Sequence, residues 1–164
     1  ALRMGIEFGR DPERTPMQWS CGPHAGFCGN CTPWLPVASD YCTSGDNVEA
    51  ELASNTSMLA VMKATVAARR RSSSLLEGAQ HIFLADDAQG LLAYRRAAAG
   101  AATAVVVLNW GAEYSLANLT LGFSGTGYAH LSTADGAYST ARLLNMHAVP
   151  LRPGEGLLLF SQPV

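Results

Sequence analysis

Hydrophobic and polar positions along this chain follow three patterns in turn. Ahead of Ser54 they obey no period: Trp19, Phe27 and Trp34 stand singly among Pro and Gly, with Arg and carboxylates close by. A segment this long without regular structure is usually functional or disordered, and Trp at this density argues against disorder. Between Met58 and Arg71 the apolar positions Met58, Leu59, Val61, Met62 and Val66 recur at helical spacing, which predicts an amphipathic helix. Ser54, Asn55 and Thr56 offer N-cap residues. Arg69, Arg70 and Arg71 put positive charge where the helix dipole favours it, and read as a solvated helix end rather than a basic binding patch. Ser72-Ser73-Ser74 then breaks the run.

From Gln80 onward the apolar runs are short, of β type, and punctuated by turn residues. His81–Leu84 and Leu91–Arg95 flank the turn cluster Asp86-Asp87-Ala88-Gln89-Gly90 and predict a hairpin. Thr103–Asn109 contains Val105-Val106-Val107-Leu108, the pattern of a central strand. Segments 115–121, 128–132, 141–144 and 157–161 add further strands, and the turn spacing is that of an all-β sandwich. No internal repeat points to a solenoid or propeller.

Composition narrows the reading. A chain of 164 residues, 48% hydrophobic and 15% charged, can bury a core, and its length suits one domain or slightly more. A formal charge of -2 provides no electrostatic basis for a nucleic-acid partner. No apolar run approaches the roughly 20 residues that cross a bilayer; the longest, Ala97–Leu108, is interrupted by Gly100 and Thr103 and reads as a buried strand. No Gly-rich phosphate cradle precedes a helix, so no nucleotide cofactor is expected. His24 reads as an exposed loop residue, and His81, His130 and His147 fall in β segments without a partner at ligand spacing, so no metal is expected. The chain opens in mid-loop at Ala1, without an initiator Met or leader, and reads as the C-terminal part of something longer.

All four cysteines, Cys21, Cys28, Cys31 and Cys42, lie in the opening segment, and three pairings are possible. A zinc site needs two short-spaced ligand pairs, and only Cys28-Gly29-Asn30-Cys31 has that spacing. The same pair precedes no βαβ pattern, which argues against a redox motif. Three N-glycosylation triplets begin at Asn30, Asn55 and Asn118, more than chance supplies. Together these features favour secretory or cell-surface exposure, and disulfides over zinc.

One string is chemically specific. Arg10-Asp11-Pro12-Glu13-Arg14-Thr15-Pro16-Met17-Gln18-Trp19, then Ala25-Gly26-Phe27, Pro33-Trp34-Leu35-Pro36-Val37 and Asp40-Tyr41, resembles the loop after the eighth barrel strand in glycoside hydrolase family 13, the α-amylase superfamily. The branch it resembles is that of α-glucosidases, maltases, oligo-1,6-glucosidases and trehalose synthases. The motif covers about the first quarter of the chain; the tail Leu151–Phe160 is similar to the family's final strand. The resemblance implies the C-terminal end of a (β/α)8 barrel, its last βα loop and helix, over residues 1–76. An antiparallel Greek-key β-sandwich would follow over residues 77–164.

The resemblance also implies an activity: a retaining α-glucosidase acting on maltose- or sucrose-like sugars. Such enzymes use a carboxylate nucleophile and a carboxylic general acid, with a third carboxylate gripping the sugar. None of those three maps onto the thirteen Asp and Glu of this chain, so the fragment alone is expected to be inactive. It would supply pocket rim, because barrel active sites are built from the βα loops. The Arg that opens the string maps to Arg10 and is implied to reach the sugar, as a rigid fork of donors suits. Asp11, Arg14 and Phe27 are candidate rim residues. By residue type Asp11, Glu13 and Arg14 serve equally as a structural ion-pair cluster, Arg14 reads as scaffold and Trp34 as packing. The expected partner is an α-glucoside or oligosaccharide.

Two features qualify the likeness. Ser20-Cys21-Gly22-Pro23-His24 and Cys28-Gly29-Asn30-Cys31 replace the family's usual polar runs, which suggests a stapled loop and leaves substrate preference open. The signature also occurs, weakened, in heavy chains of heteromeric amino-acid transporters, which share the fold. Ala38–Tyr41, Val106–Gly111, Leu131–Thr133 and the glycosylation triplets lean toward that alternative, a non-catalytic ectodomain whose partner is a transporter light chain. Either reading places the protein outside the cytosol, secreted or on the extracellular face of a membrane. A third reading makes the chain only a stabilising β domain.

Overall fold

The computed structural model describes residues 10–164 and divides the chain into two units, one ending at Ser54 and one running from Asn55 to Val164. The first unit is mostly irregular. Among its described residues it holds two 3-10 turns, Pro12–Arg14 and Pro23–Gly26, and a short helix α1 (Val48–Ala53). Helix α1 carries no buried residue, so no apolar period announced it. Its start rests on Asn47, whose Oδ1 accepts from Ala50 N at 3.0 Å, and on Glu49 and Glu51 in the first turn, where carboxylates complement the dipole.

The second unit opens with helix α2 (Met58–Arg71), over the span predicted. Its cap differs from expectation. Ser57, not Ser54–Thr56, is the N-cap, and its Oγ accepts from Ala60 N at 3.1 Å. Ser72 ends α2 and caps the next helix, α3 (Ser73–Leu76), by accepting from Leu75 N at 3.3 Å. The serine run therefore breaks one helix and starts another. The buried face of α2 also differs. Val61, Ala64 and Ala68 pack inward, while Met58 and Met62 are exposed and Val66 is 40% exposed. Small side chains let the helix approach the sheet closely; hydrophobicity alone ranks Met above Ala and picks the wrong stripe.

Six strands form one antiparallel sheet: β1 (Ala79–Asp86), β2 (Leu91–Ala97), β3 (Ala104–Asn109), β5 (Thr126–Ser132), β6 (Gly136–Asn145) and β8 (Gly156–Phe160). Their order is β1-β2-β3-β8-β5-β6. Two short strands, β4 (Ser115–Ala117) and β7 (Val149–Leu151), pair antiparallel as a second sheet. The expected antiparallel β unit is thus present. Strand β7 was not foreseen, being three residues long with a Pro at its centre.

Strand β8 explains how the layers stack. It lies between β3 and β5, and all five of its residues are buried. Its alternate side chains enter two separate cores. Leu157 and Leu159 join Leu91, Ala93, Val105 and Val107 and the small-sheet residues Ala117, Val149 and Leu151. Leu158 and Phe160 join Ala104 and Leu131 and the helical residues Ala68 and Leu75. The continuous apolar run reads as a strand covered on both faces, as period-2 geometry requires.

The hairpin β1–β2 forms as predicted. Asp86 caps its turn, Oδ1 accepting from Gln89 N at 3.0 Å and Oδ2 from Gln89 Nε2 at 2.9 Å. Gly90 has φ +67°, and a Cβ there would lie 2.6 Å from Gly111 N, so only glycine fits. The run Ala97–Leu108 is not one strand. The chain turns after β2, with Ala101 N bonded to Ala98 O, and pairing resumes at Ala104. His147 lies in the turn after β6, not in a strand, its N–H donating to Asn145 Oδ1. Among the described residues no helix is long and apolar enough to cross a membrane.

Candidate functional site

Pro12 begins its 3-10 turn with φ preset by its ring. Glu13 N and Arg14 N close the turn onto Arg10 O and Asp11 O, at 3.2 and 3.1 Å. Arg10, Asp11, Glu13 and Arg14 all stay exposed. Among the described residues no ion pair joins them. Arg14 acts through its backbone: its carbonyl accepts from Trp34 Nε1 at 2.8 Å. The Trp34 indole meets Phe27 edge-on, centroids 5.4 Å apart at 85°. Phe27 is thereby half-buried, while Trp34 remains 67% exposed and Met17 and Trp19 are exposed by about half. The loop therefore offers exposed apolar residues, and its Arg10 and Arg14 are exposed as well.

The triplet Ala25-Gly26-Phe27 has a backbone reason. His24, Ala25 and Gly26 take φ values of 51°, 57° and 69° in succession, a left-handed run that costs about 1–3 kcal/mol per non-Gly residue. What holds it is the Ala25 carbonyl, which accepts from both Trp19 N at 2.7 Å and Ser20 N at 3.1 Å, with the Ala25 methyl fully buried. A Cβ on Gly26 would come within 2.5 Å of Ser20 Oγ.

The segment Gln18-Trp19 is clamped on its other side by α1. Val48 N and Glu49 N donate to Gln18 O and Trp19 O at 3.1 and 3.0 Å. Buried Asn47 adds a bond from Nδ2 to Tyr41 O at 2.9 Å. Cys21 is bonded to Cys42, and Cys28 to Cys31. Of the three pairings open to the sequence, this one ties the loop to the approach to α1 and closes a small ring after Phe27. Gln18 Oε1 is buried without a hydrogen-bond partner among the described residues, a situation that costs about 1–3 kcal/mol. Neither the Trp34–Arg14 bond nor the orphaned Gln18 oxygen carries any signal in the sequence.

A second polar cluster, unforeseen, lies in the β unit. Arg152 grips Asp135 with two bonds, Nη1 to Oδ1 and Nη2 to Oδ2, both 2.8 Å, and Tyr138 OH donates to Oδ2 at 2.8 Å. Buried Glu155 accepts from Ser132 Oγ and, at 2.8 Å, from Arg152 N. Arg152 first, and then Tyr138, hold the Asp135 carboxyl below the usual carboxylate range. Burial, and then the bond to Asp135, push the Tyr138 phenol up. Arg152 and Glu155 also border a cavity of about 100 Å³ that Tyr114 and Arg142 help to line. Sequence reasoning placed Asp135 only in a turn; its partners are 3 and 17 residues away and meet it only in the folded sheet.

The glycosylation triplets all present an exposed asparagine, at Asn30, Asn55 and Asn118.

Comparison with known proteins gives the class of this irregular, disulfide-tied aromatic loop followed by helices and an antiparallel β unit. Residues 3–78 match the alpha amylase catalytic domain. Over 156 residues the chain is 35% identical to a salivary alpha-glucosidase of Anopheles gambiae, which covers 93% of this chain and 26% of that protein. It is 36% identical over 111 residues to maltase A1 of Drosophila melanogaster, covering 68% of this chain and 18% of that one. In fold it is similar to the trehalulose synthase MutB from Pseudomonas mesoacidophila MX-45, with a TM-score of 0.72 and 24% identity over 92% of this chain and 26% of that structure. The chain belongs to the α-amylase family, among relatives that are α-glucosidases, maltases and oligo-1,6-glucosidases. It spans about a quarter of the length of the first of these relatives. The transporter heavy-chain alternative gains no support from them.

Proposed function

We propose that this chain is the C-terminal part of a secreted, retaining α-glucosidase that cleaves α-glucosidic bonds of maltose- or sucrose-like sugars. The observation that carries the reading is the extent of the likeness to the salivary alpha-glucosidase, which takes in both the aromatic loop and the β unit. In this reading residues 1–76 close a (β/α)8 barrel with its last βα loop and helix, and the family match running to residue 78 supports that boundary. Residues 77–164 form a Greek-key β domain, a topology supported by the return of β8 between β3 and β5.

Catalysis runs by double displacement on carboxylates that the remainder of the parent protein supplies. Arg10 binds the sugar at the cleavage point, Asp11, Arg14 and Phe27 line the rim, and an α-glucoside is the partner. The exposed guanidinium of Arg10 at the head of a braced loop supports this role. The relative's salivary origin, the two disulfides and the glycosylation triplets support secretion.

The test is hydrolysis of maltose and a chromogenic α-glucoside by the parent protein. We expect turnover with the α-anomer released first, and none from residues 1–164 alone. Arg10→Ala in the parent should lower kcat/KM by about 10- to 100-fold, the size of one lost charge-assisted hydrogen bond. A folded parent without α-glucosidase activity, or an unchanged Arg10→Ala variant, would sink the reading.

A further inference from the structure

We propose that Asn118 carries an N-linked glycan that covers the exposed apolar residues Leu116 and Leu121; this rests on the secretory reading above. Strand β4 and the turn that follows it alternate between buried and exposed residues from Leu116 to Leu119. Ala117 and Leu119 are buried, whereas Leu116, Asn118 and Leu121 face solvent, the two leucines 64% and 69% exposed. Two large aliphatic side chains flanking one asparagine form an apolar surface that a secreted protein benefits from covering.

The geometry around Asn118 suits a sugar. Its Oδ1 accepts from Thr120 N at 3.1 Å and from Thr120 Oγ1 at 2.7 Å, folding the triplet into a tight turn. Nδ2, the atom that is glycosylated, has no partner among the described residues. A glycan on Nδ2 therefore leaves both bonds of the turn intact. The turn itself is pinned on each side. Leu119 N donates to Met146 O at 2.7 Å, Gly122 N to Leu119 O at 2.9 Å, and Arg95 Nη1 to Leu121 O at 3.3 Å. The backbone that would carry the glycan is thus held in place beside Leu116 and Leu121 in the chain. Asn30 differs: the middle residue of its triplet is Cys31, bridged to Cys28.

The chemistry balances with one co-reactant, an oligosaccharide linked to a polyprenyl diphosphate in the secretory lumen. Asn118 Nδ2 attacks the anomeric carbon and the N–C1 bond forms. The C1–O bond breaks with its electron pair leaving on the diphosphate, and one amide proton passes to a base of the transferring enzyme.

The test uses the full chain secreted from insect cells behind an added leader, with peptide mass spectrometry before and after peptide-N-glycosidase. The peptide containing Asn118 should carry a glycan; an unmodified Asn118 peptide overturns the proposal. Asn118→Gln and Thr120→Ala should each lose one glycan step in mobility, and Thr120→Ser should keep it. The glycan-free variants should bind more of a hydrophobic dye, and Leu116→Ser with Leu121→Ser should reverse the increase. Dye binding unchanged from wild type overturns the covering role. Because the leader is added, these outcomes do not depend on the natural destination, which is tested separately by whether the parent's source cells secrete it.

Discussion

Ala25 is the residue on which the loop turns. Its carbonyl takes two N–H donors, its methyl group is fully buried, and it sits between His24 and Gly26 in a left-handed stretch. Each of these constrains residue size more than chemistry, which accounts for two small residues beside the aromatic Phe27. In the β unit a single histidine sets a pH response. His130 stands edge-on to Phe160 at 5.6 Å, and burial first, then the charge of Arg71, keep its pKa below the ordinary value near 6.5. The folded state thus favours the neutral ring. Its contribution is present above pH ~6.5 and is lost as pH falls through the lowered folded pKa. We expect His130→Gln to flatten the slope of unfolding free energy against pH below ~6.5, read from denaturant titrations across that range; an unchanged slope would show that the ring is not responsible. Asp135 has the same sign in a more acidic window. The stability it adds is present above its unfolded value of about 3.9 and is lost as pH falls through its depressed folded pKa.

Short elements gain their stability from ties to other segments. Helix α1 has six residues and no buried side chain, so it persists because Asn47 caps it and because its first N–H groups reach Gln18 O and Trp19 O. The Cys21–Cys42 bridge closes a sequence separation of 21 around the same loop. In the chain-entropy account a closure of that length is worth about 3 kcal/mol. The double variant Cys21→Ser, Cys42→Ser should therefore lower loop stability by about that amount, seen as faster proteolysis between Trp19 and Asn47. Removing Cys28–Cys31, which spans three residues, should matter much less. Equal proteolysis of the two variants would count against the entropic account.

At the scale of the whole chain, the unit from Asn55 to Val164 holds two cores on opposite faces of one sheet, with α2 and α3 covering one of them. Every strand of both sheets lies within it. We expect residues 55–164 expressed alone to unfold in one cooperative thermal transition, with an antiparallel β circular-dichroism spectrum. A broad, non-cooperative melt would show that these cores need residues outside the unit. Much of this fold was legible beforehand: the helix Met58–Arg71, the β1–β2 hairpin, the central strand β3 and the strand character of β8 all have strong local patterns, whereas the tail's likeness to an edge-closing strand missed the place of β8 between β3 and β5. The unseen parts, α1, α3 and β7, are short and are tied to partners distant in sequence.

Local pattern, by itself, determined the span of the helix Met58–Arg71 and that the second half is β, and the opening string carried the resemblance to the α-amylase family. Those properties depend on period and on an unusual order of residues, and both are written along the chain. Tertiary structure alone decided the Cys21–Cys42 and Cys28–Cys31 pairing and the inward face of α2. It also decided the hold of Arg152 on Asp135 and the exposure of Leu116 and Leu121 around Asn118. Each of these is a contact, or the lack of one, between residues that only folding brings within reach. Their energies depend on distance in space, which sequence spacing does not encode.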